Sequence, residues 1–271
     1  MHQRLSVHAI CFAGANLDQL AGYLREVDAR RVTLVSYALL EEGLAAVQEA
    51  LQASNCKTES ITHTFLTGRH LEQREESWRD ARDTLSRLIE LTQGIGARSI
   101  YMLTGGHGSL TWEEAADAFR AAVAPCVAQA KDAGIRLMVE NSAPPYADLH
   151  IAHTLRDTVT LAESADIGVC IDLFACWAEA GLRESIERAM PRCHLVQVSD
   201  YVYGDRSVPA RAVPGDGAIP VKRILQWLLQ AGYSGTFDIE LVGPRIDKEG
   251  RVAAVRRTAQ RVGEMLESLG A

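Results

Sequence analysis

Eight short apolar runs of strand length punctuate this chain, and a stretch with helical spacing follows each of them. The runs are Leu5 to Ile10, Val32 to Ser36, Thr58 to Phe65, Ser99 to Leu103, Ile135 to Glu140, Ile167 to Asp172, His194 to Val198 and Thr236 to Leu241. Between and after them, helices are expected over Leu17 to Val27, Leu40 to Leu51, Leu71 to Leu91, Trp112 to Lys131, His150 to Leu161, Glu179 to Met190 and Val221 to Gln230. A closing helix carries Val252, Val255, Ala259, Val262, Leu266 and Leu269. Most of the strands are continuous apolar runs, as parallel strands buried on both faces must be. Eight units in 271 residues, roughly 34 each, describe one α/β domain over residues 1–271 folded as a (β/α)8 TIM barrel. The rival doubly wound sheet needs a glycine fingerprint for phosphate, and GGHG at Gly105 to Gly108 lacks its spacing. Pro125, which has no backbone N–H to donate, is expected to bend the helix that holds it.

Several partner classes are excluded by the totals. Net charge is −7 and no basic run exists, which argues against nucleic acid. No stretch approaches the roughly 18 continuous apolar residues of a membrane span. The N-terminus, MHQRLSVHAICF, lacks the apolar core and cleavage pattern of a signal peptide. Six cysteines sit mostly inside apolar runs with no C-x-x-C pair, so they read as reduced core residues of a cytoplasmic protein. Nothing here excludes a homo-oligomer.

Chemistry concentrates where strands end. From Arg192 to Pro220 an apolar strand opens into a loop holding Asp200, Tyr201, Tyr203, Arg206 and Arg211, closed by the PGDG turn at Pro214 to Gly217. In a barrel the active site lies at the C-terminal ends of the strands. Glu140, Asp172, Gln197 and Glu240 occupy such ends in the second half. Singly, each reads as a strand-end polar group satisfied by backbone or by an ion pair. Together, three carboxylates and an amide converging on one mouth would repel unless a cation lay between them. An all-oxygen donor set suits Mg2+ or Mn2+ better than a softer ion.

With those four residues placed, the chain resembles the xylose isomerase-like TIM barrel superfamily of sugar isomerases and epimerases. The likeness rests on Glu, Asp, Gln and Glu on the last four strands, on MVEN and VQVSD, on the PGDG turn, and on GYSGTFDIEL at Gly232 to Leu241. It implies that Glu140, Asp172, Gln197 and Glu240 are metal ligands and that Glu140 and Glu240 also move protons. Gln197 stands where tagatose epimerase-like members carry His, as in hydroxypyruvate isomerase-like and dehydroshikimate dehydratase-like members. Ala175 stands where a His commonly follows the Asp by three residues.

The chemistry suits these residues on its own terms. Isomerising a sugar or small hydroxy-keto compound means taking a proton from carbon beside a carbonyl and holding the enediolate. A divalent ion and two carboxylates can do this. The alternative is a metal-dependent lyase that dehydrates a 3-keto sugar or cyclic keto acid after the same first step. His63 and His107 either make ordinary strand-end hydrogen bonds or reach substrate oxygens. Arg206 and Arg211 either lie solvated or bind a carbohydrate or keto-acid substrate. His8 reads as a barrel-interior residue, and Trp112 and Trp177 as packing.

Overall fold

A computed structural model describes residues 1–72 and 76–271. Eight parallel strands close into a barrel in sequence order: β1 (Leu5–His8), β2 (Arg31–Val35), β3 (Lys57–Thr64), β4 (Ser99–Leu103), β5 (Arg136–Glu140), β6 (Gly168–Asp172), β7 (Cys193–Val198) and β8 (Thr236–Ile239). The expected (β/α)8 barrel is therefore observed, with β8 pairing back to β1 through Leu5 and Phe237. Among the described residues no helix is long and apolar enough to cross a membrane.

Alternation along each strand divides the core into two layers. Val32, Leu34, Ile61, Ile100, Val139, Ile171, Val196 and Ile239 belong to the large apolar layer that the helices cover. Residues of the opposite phase form a small separate cluster of Tyr101, Met138, Cys170 and Leu195. Polar residues share that second environment, including the Ser60–Ser99 hydroxyl pair at 3.0 Å and Ser6 donating to Asp238 Oδ1 at 2.5 Å. A polar barrel interior needs such pairing, because a buried hydroxyl or carboxyl without a partner is costly.

Element ends depart from the sequence reading in instructive ways. Strand β1 stops at His8, where a 3-10 turn over Ala9–Phe12 starts with the His8 imidazole accepting Ile10 N–H at 3.0 Å. The second helix is two pieces, Ser36–Leu40 and Leu44–Ser54, parted at Gly43 with φ +86°. The helix expected over Leu71 to Leu91 is seen from Glu76 to Gly94, and its stretch 73–75 lies outside the described residues. The helix that holds Pro125 is continuous from Trp112 to Asp132 behind a Thr111–Glu114 capping box. The fifth expected helix begins at Leu155 rather than His150, because Thr154 caps it through Asp157 N–H at 3.0 Å. All six cysteines are buried and unpaired.

Candidate metal and active site

The expected carboxylates meet at the C-terminal mouth of the barrel. Glu140 ends β5, Asp172 ends β6, and Glu240 directly follows β8. One carboxylate oxygen from each lies within 4.8 Å of the others, and all three residues are buried. The backbone between them is tied by Asn141. Its Nδ2 donates to Asp172 C=O at 2.8 Å, and its Oδ1 accepts Asp172 N–H at 2.9 Å. His150 Nε2 lies 2.6 Å from the Glu140 carbonyl while its Nδ1 accepts Thr104 N–H at 3.0 Å. The ends of β4, β5 and β6 are thus fixed to one another. Asp172 also accepts Phe174 N–H at 3.0 Å and so starts the short helix Leu173–Cys176.

Arg211 comes into this group from the loop after β7. That loop is organised by Asp200, whose two oxygens accept four backbone N–H groups, from Tyr201, Gly215, Gly217 and Ile219, at 2.7–3.0 Å. Gly217 passes so close that a Cβ there would lie 2.3 Å from Tyr201 C=O, which is why the PGDG turn requires glycine. Asp200 and Ala212 exchange backbone hydrogen bonds at 2.8 Å, and Arg211 is thereby aimed inward. Its guanidinium donates to Asp172 Oδ1 at 3.1 Å, Asp172 Oδ2 at 2.9 Å and Ser199 Oγ at 2.9 Å. It also lies 3.1 Å from Glu240 Oε2 and 4.8 Å over the Phe174 ring.

Electrostatics follow from burial. Burial pushes the Glu140 carboxyl well above its ordinary range, and the charges of Glu240 and Asp172 push it further. Asp172 and Glu240 are raised by burial too, but Arg211 opposes the rise in both. Burial alone would lower the Arg211 pKa; Asp172 and Glu240 outweigh it and hold the guanidinium charged. Three carboxylates against one guanidinium leave two negative charges when all are ionised, which is the charge of one divalent cation.

Gln197 lies inside the barrel, fully buried, as the Cα partner of Asp172 across β6 and β7. Its Nε2 donates to Tyr101 Oη at 3.1 Å, and its Oε1 is buried with no hydrogen-bond partner. A buried amide oxygen without a donor is rare and needs an explanation. A cation held with the carboxylates supplies one, so the residues present fit a divalent ion on all-oxygen ligands.

The remaining candidates lie apart from this group. His63 has the phase of Ile61, in the layer under the helices. Its Nδ1 lies 3.0 Å from Ser36 Oγ, and burial lowers its pKa to about 4. His107 follows β4 with a buried, unpartnered Nδ1. Arg206 is exposed and donates to Tyr201 Oη at 2.9 Å and Asp205 C=O at 3.2 Å. None of the three contacts the carboxylates. Trp177 joins Phe174, Tyr201 and Tyr203 in a cluster with ring centroids 6.0–6.4 Å apart, consistent with a packing role. Sequence reasoning passed over Asn141, Tyr101 and His150. A polar residue one step past a strand-end Glu is the available signal for Asn141, while the helical spacing that follows His150 hides that residue, which precedes the helix at Leu155.

Comparison with known proteins agrees with this architecture. No curated protein matches the sequence. Among solved structures, protein SMc04130 from Sinorhizobium meliloti 1021 superposes with a TM-score of 0.80 at 20% identity, covering 96% of this chain and 98% of that one. The IolI protein with a bound zinc atom gives 0.81 at 16% identity over 98% and 99%. L-ribulose 3-epimerase gives 0.81 at 16% identity over 98% and 95%. At these identities the likeness establishes the fold. The sequence profile of the xylose isomerase-like TIM barrel family matches residues 24–264, most of the chain, and the protein belongs to that family.

Proposed function

We propose that this chain is a divalent-metal-dependent isomerase or epimerase of a sugar or small hydroxy-keto compound. All of residues 1–271 would act as one barrel domain in the cytoplasm. The observation that carries this reading is the buried meeting of Glu140, Asp172 and Glu240 beside Arg211 and the unpartnered Gln197 Oε1. Psicose and ribulose 3-epimerases share the fold, which supports a carbohydrate substrate. Mn2+ or Mg2+ held by Glu140, Asp172, Gln197 and Glu240 would supply a Lewis acid that polarises the substrate carbonyl.

The chain's own groups do the rest. Glu140 and Glu240 approach the same point from β5 and β8, so one can take a proton from the carbon beside the carbonyl while the other returns one. Their burial matters here: a carboxyl whose pKa burial has raised holds a proton more readily between the two transfers. Arg211 steadies the negative charge that develops on substrate oxygen while opposing the rise that burial gives the Asp172 pKa. Substrate contacts beyond the reacting carbons fall to Arg211 and to Arg206 and His107 on the loops, while His63, proposed from the sequence for the same role, is turned to Ser36. The lyase alternative needs an acid at the leaving oxygen, and neither His63 nor His107 touches the carboxylates.

The test is a panel of ketoses and small hydroxy-keto acids incubated with metal-loaded protein in deuterated water. Isomerised or epimerised product with deuterium at the reacting carbon is expected. A panel that stays unexchanged with Mn2+ and Mg2+ present would overturn the assignment.

A further inference from the structure

Beneath the carboxylates runs a hydrogen-bond chain that the reaction itself does not use. His8 Nε2 lies 2.6 Å from Tyr101 Oη, and Tyr101 Oη accepts Gln197 Nε2–H at 3.1 Å. All three residues are buried: His8 and Tyr101 are each 1% exposed and Gln197 not at all.

The direction of each bond can be worked out. His8 Nδ1 accepts the backbone N–H of Ile10 at 3.0 Å, so in the neutral ring the proton sits on Nε2. Burial, aided by the charge of Arg211, lowers the His8 pKa to about 3, which keeps the ring neutral. Nε2–H therefore donates to Tyr101 Oη and takes one of its two lone pairs. The amide of Gln197 has two ways to meet what is left. Its Nε2 can donate to the second lone pair, or its Oε1 can accept the phenol proton. In the first arrangement, the one observed, Oε1 is buried without a donor, on the residue whose Cα pairs with that of Asp172. In the second, Oε1 would be spent on the phenol and the NH2 group would be the free end. Only the first leaves a ligand oxygen for a cation.

We infer that Tyr101, anchored by His8, is a positioning residue that holds the Gln197 amide by its nitrogen and so presents Oε1 as a metal ligand. The inference rests on the proposed role of Gln197 in cation binding. A phenol can accept from the amide nitrogen or donate to the amide oxygen, so a cation at Oε1 selects the orientation and Tyr101 Oη, already 2.6 Å from His8 Nε2, receives the nitrogen end. Phenylalanine at 101 would fill the same space with no acceptor, and the amide would be free to turn.

Calorimetric titration of Mn2+ into metal-stripped protein tests this without reference to turnover. Tyr101→Phe should weaken Mn2+ binding about 10- to 100-fold, the usual effect of losing a group that orients a ligand. In a Gln197→Met background the same substitution should change nothing further. A general loosening of the barrel would weaken binding in both backgrounds and would overturn the inference, as would unchanged affinity in Tyr101→Phe. Should Tyr101→Phe fail to fold, His8→Leu goes through the same cycle: lost affinity that depends on Gln197 supports the inference, and unchanged affinity overturns it. Wild-type protein that binds no Mn2+ defeats the proposed function and this inference together. Tight wild-type binding indifferent to Tyr101 and His8 defeats the inference alone.

Discussion

Arg211 grips both oxygens of Asp172, at 3.1 and 2.9 Å, in a pocket where neither residue is more than 8% exposed. It is the cation that these carboxylates have from the chain itself, and it also stands 3.1 Å from Glu240. Removing one partner of a buried pair strands the other, at a cost of about 3–5 kcal/mol. Arg211→Met should therefore lower the melting temperature of metal-stripped protein clearly. Saturating Mn2+ should recover more of the loss in the variant than it adds to wild type, because the ion then neutralises what Arg211 no longer does. Thermal unfolding with and without Mn2+ decides it; equal metal effects on both proteins would show that Arg211 and the ion do not share the carboxylates.

Metal removal is the second test. Chelation should abolish isomerase activity on whichever panel substrate turns over, with Mn2+ or Mg2+ restoring it better than Zn2+ on an all-oxygen ligand set. Glu240→Gln should lose roughly 10²- to 10⁴-fold in kcat, the usual weight of a general acid–base group. Its fold should survive, since Glu240 packs at the mouth and not in the apolar layer. Full activity in stripped protein would end the metal reading.

The barrel was legible because its strands are apolar on both faces and recur at an even spacing, a pattern that tertiary packing reinforces. Glu140, Asp172, Gln197 and Glu240 were legible for the same reason: a polar residue at the end of an apolar run stands out. Arg211 was harder. Its inward course depends on Asp200 gathering four N–H groups spread over eighteen positions of loop, from Tyr201 to Ile219, and no periodicity reports that. Tyr101 was hidden inside a run, SIYML, that reads as ordinary strand; its hydroxyl matters only because closure of the barrel sets β4 across from β1 and β7. His150 lost its helix to Thr154 because a capping hydroxyl outcompetes a position one turn earlier.

Asp238 gives a pH dependence with a definite sign. Burial first, and the charge of Glu240 after it, raise its pKa to about 8, against the Ser6 hydrogen bond that lowers it. Between its unfolded value of 3.8 and about 8 the folded protein keeps a proton that the unfolded chain has lost. Stability from this residue is therefore full at low pH and declines as pH rises through that window, by about 1.4 kcal/mol per unit at most. Asp238→Asn cannot ionise. Its melting temperature relative to wild type should rise steadily from pH 5 to pH 8 when both are scanned in metal-free buffer, and a flat difference would place the Asp238 pKa in its ordinary range.

Isomerase and lyase part ways after the first proton leaves. Both exchange the hydrogen beside the carbonyl with solvent, but a lyase must then protonate a departing oxygen, for which a histidine is the natural acid near neutral pH. His63 is turned toward Ser36, 3.0 Å away, and burial lowers its pKa to about 4, so its ring is neutral and a poor acid at pH 7. His107 lies on the loop after β4 without contact to the carboxylates. His63→Ala and His107→Ala should then leave both deuterium exchange and turnover within a few-fold of wild type. Mass spectrometry of the product separates the two chemistries. If either variant keeps exchange but loses turnover, and the wild-type product is lighter by water, the residue is the acid of an elimination and the chain is a lyase.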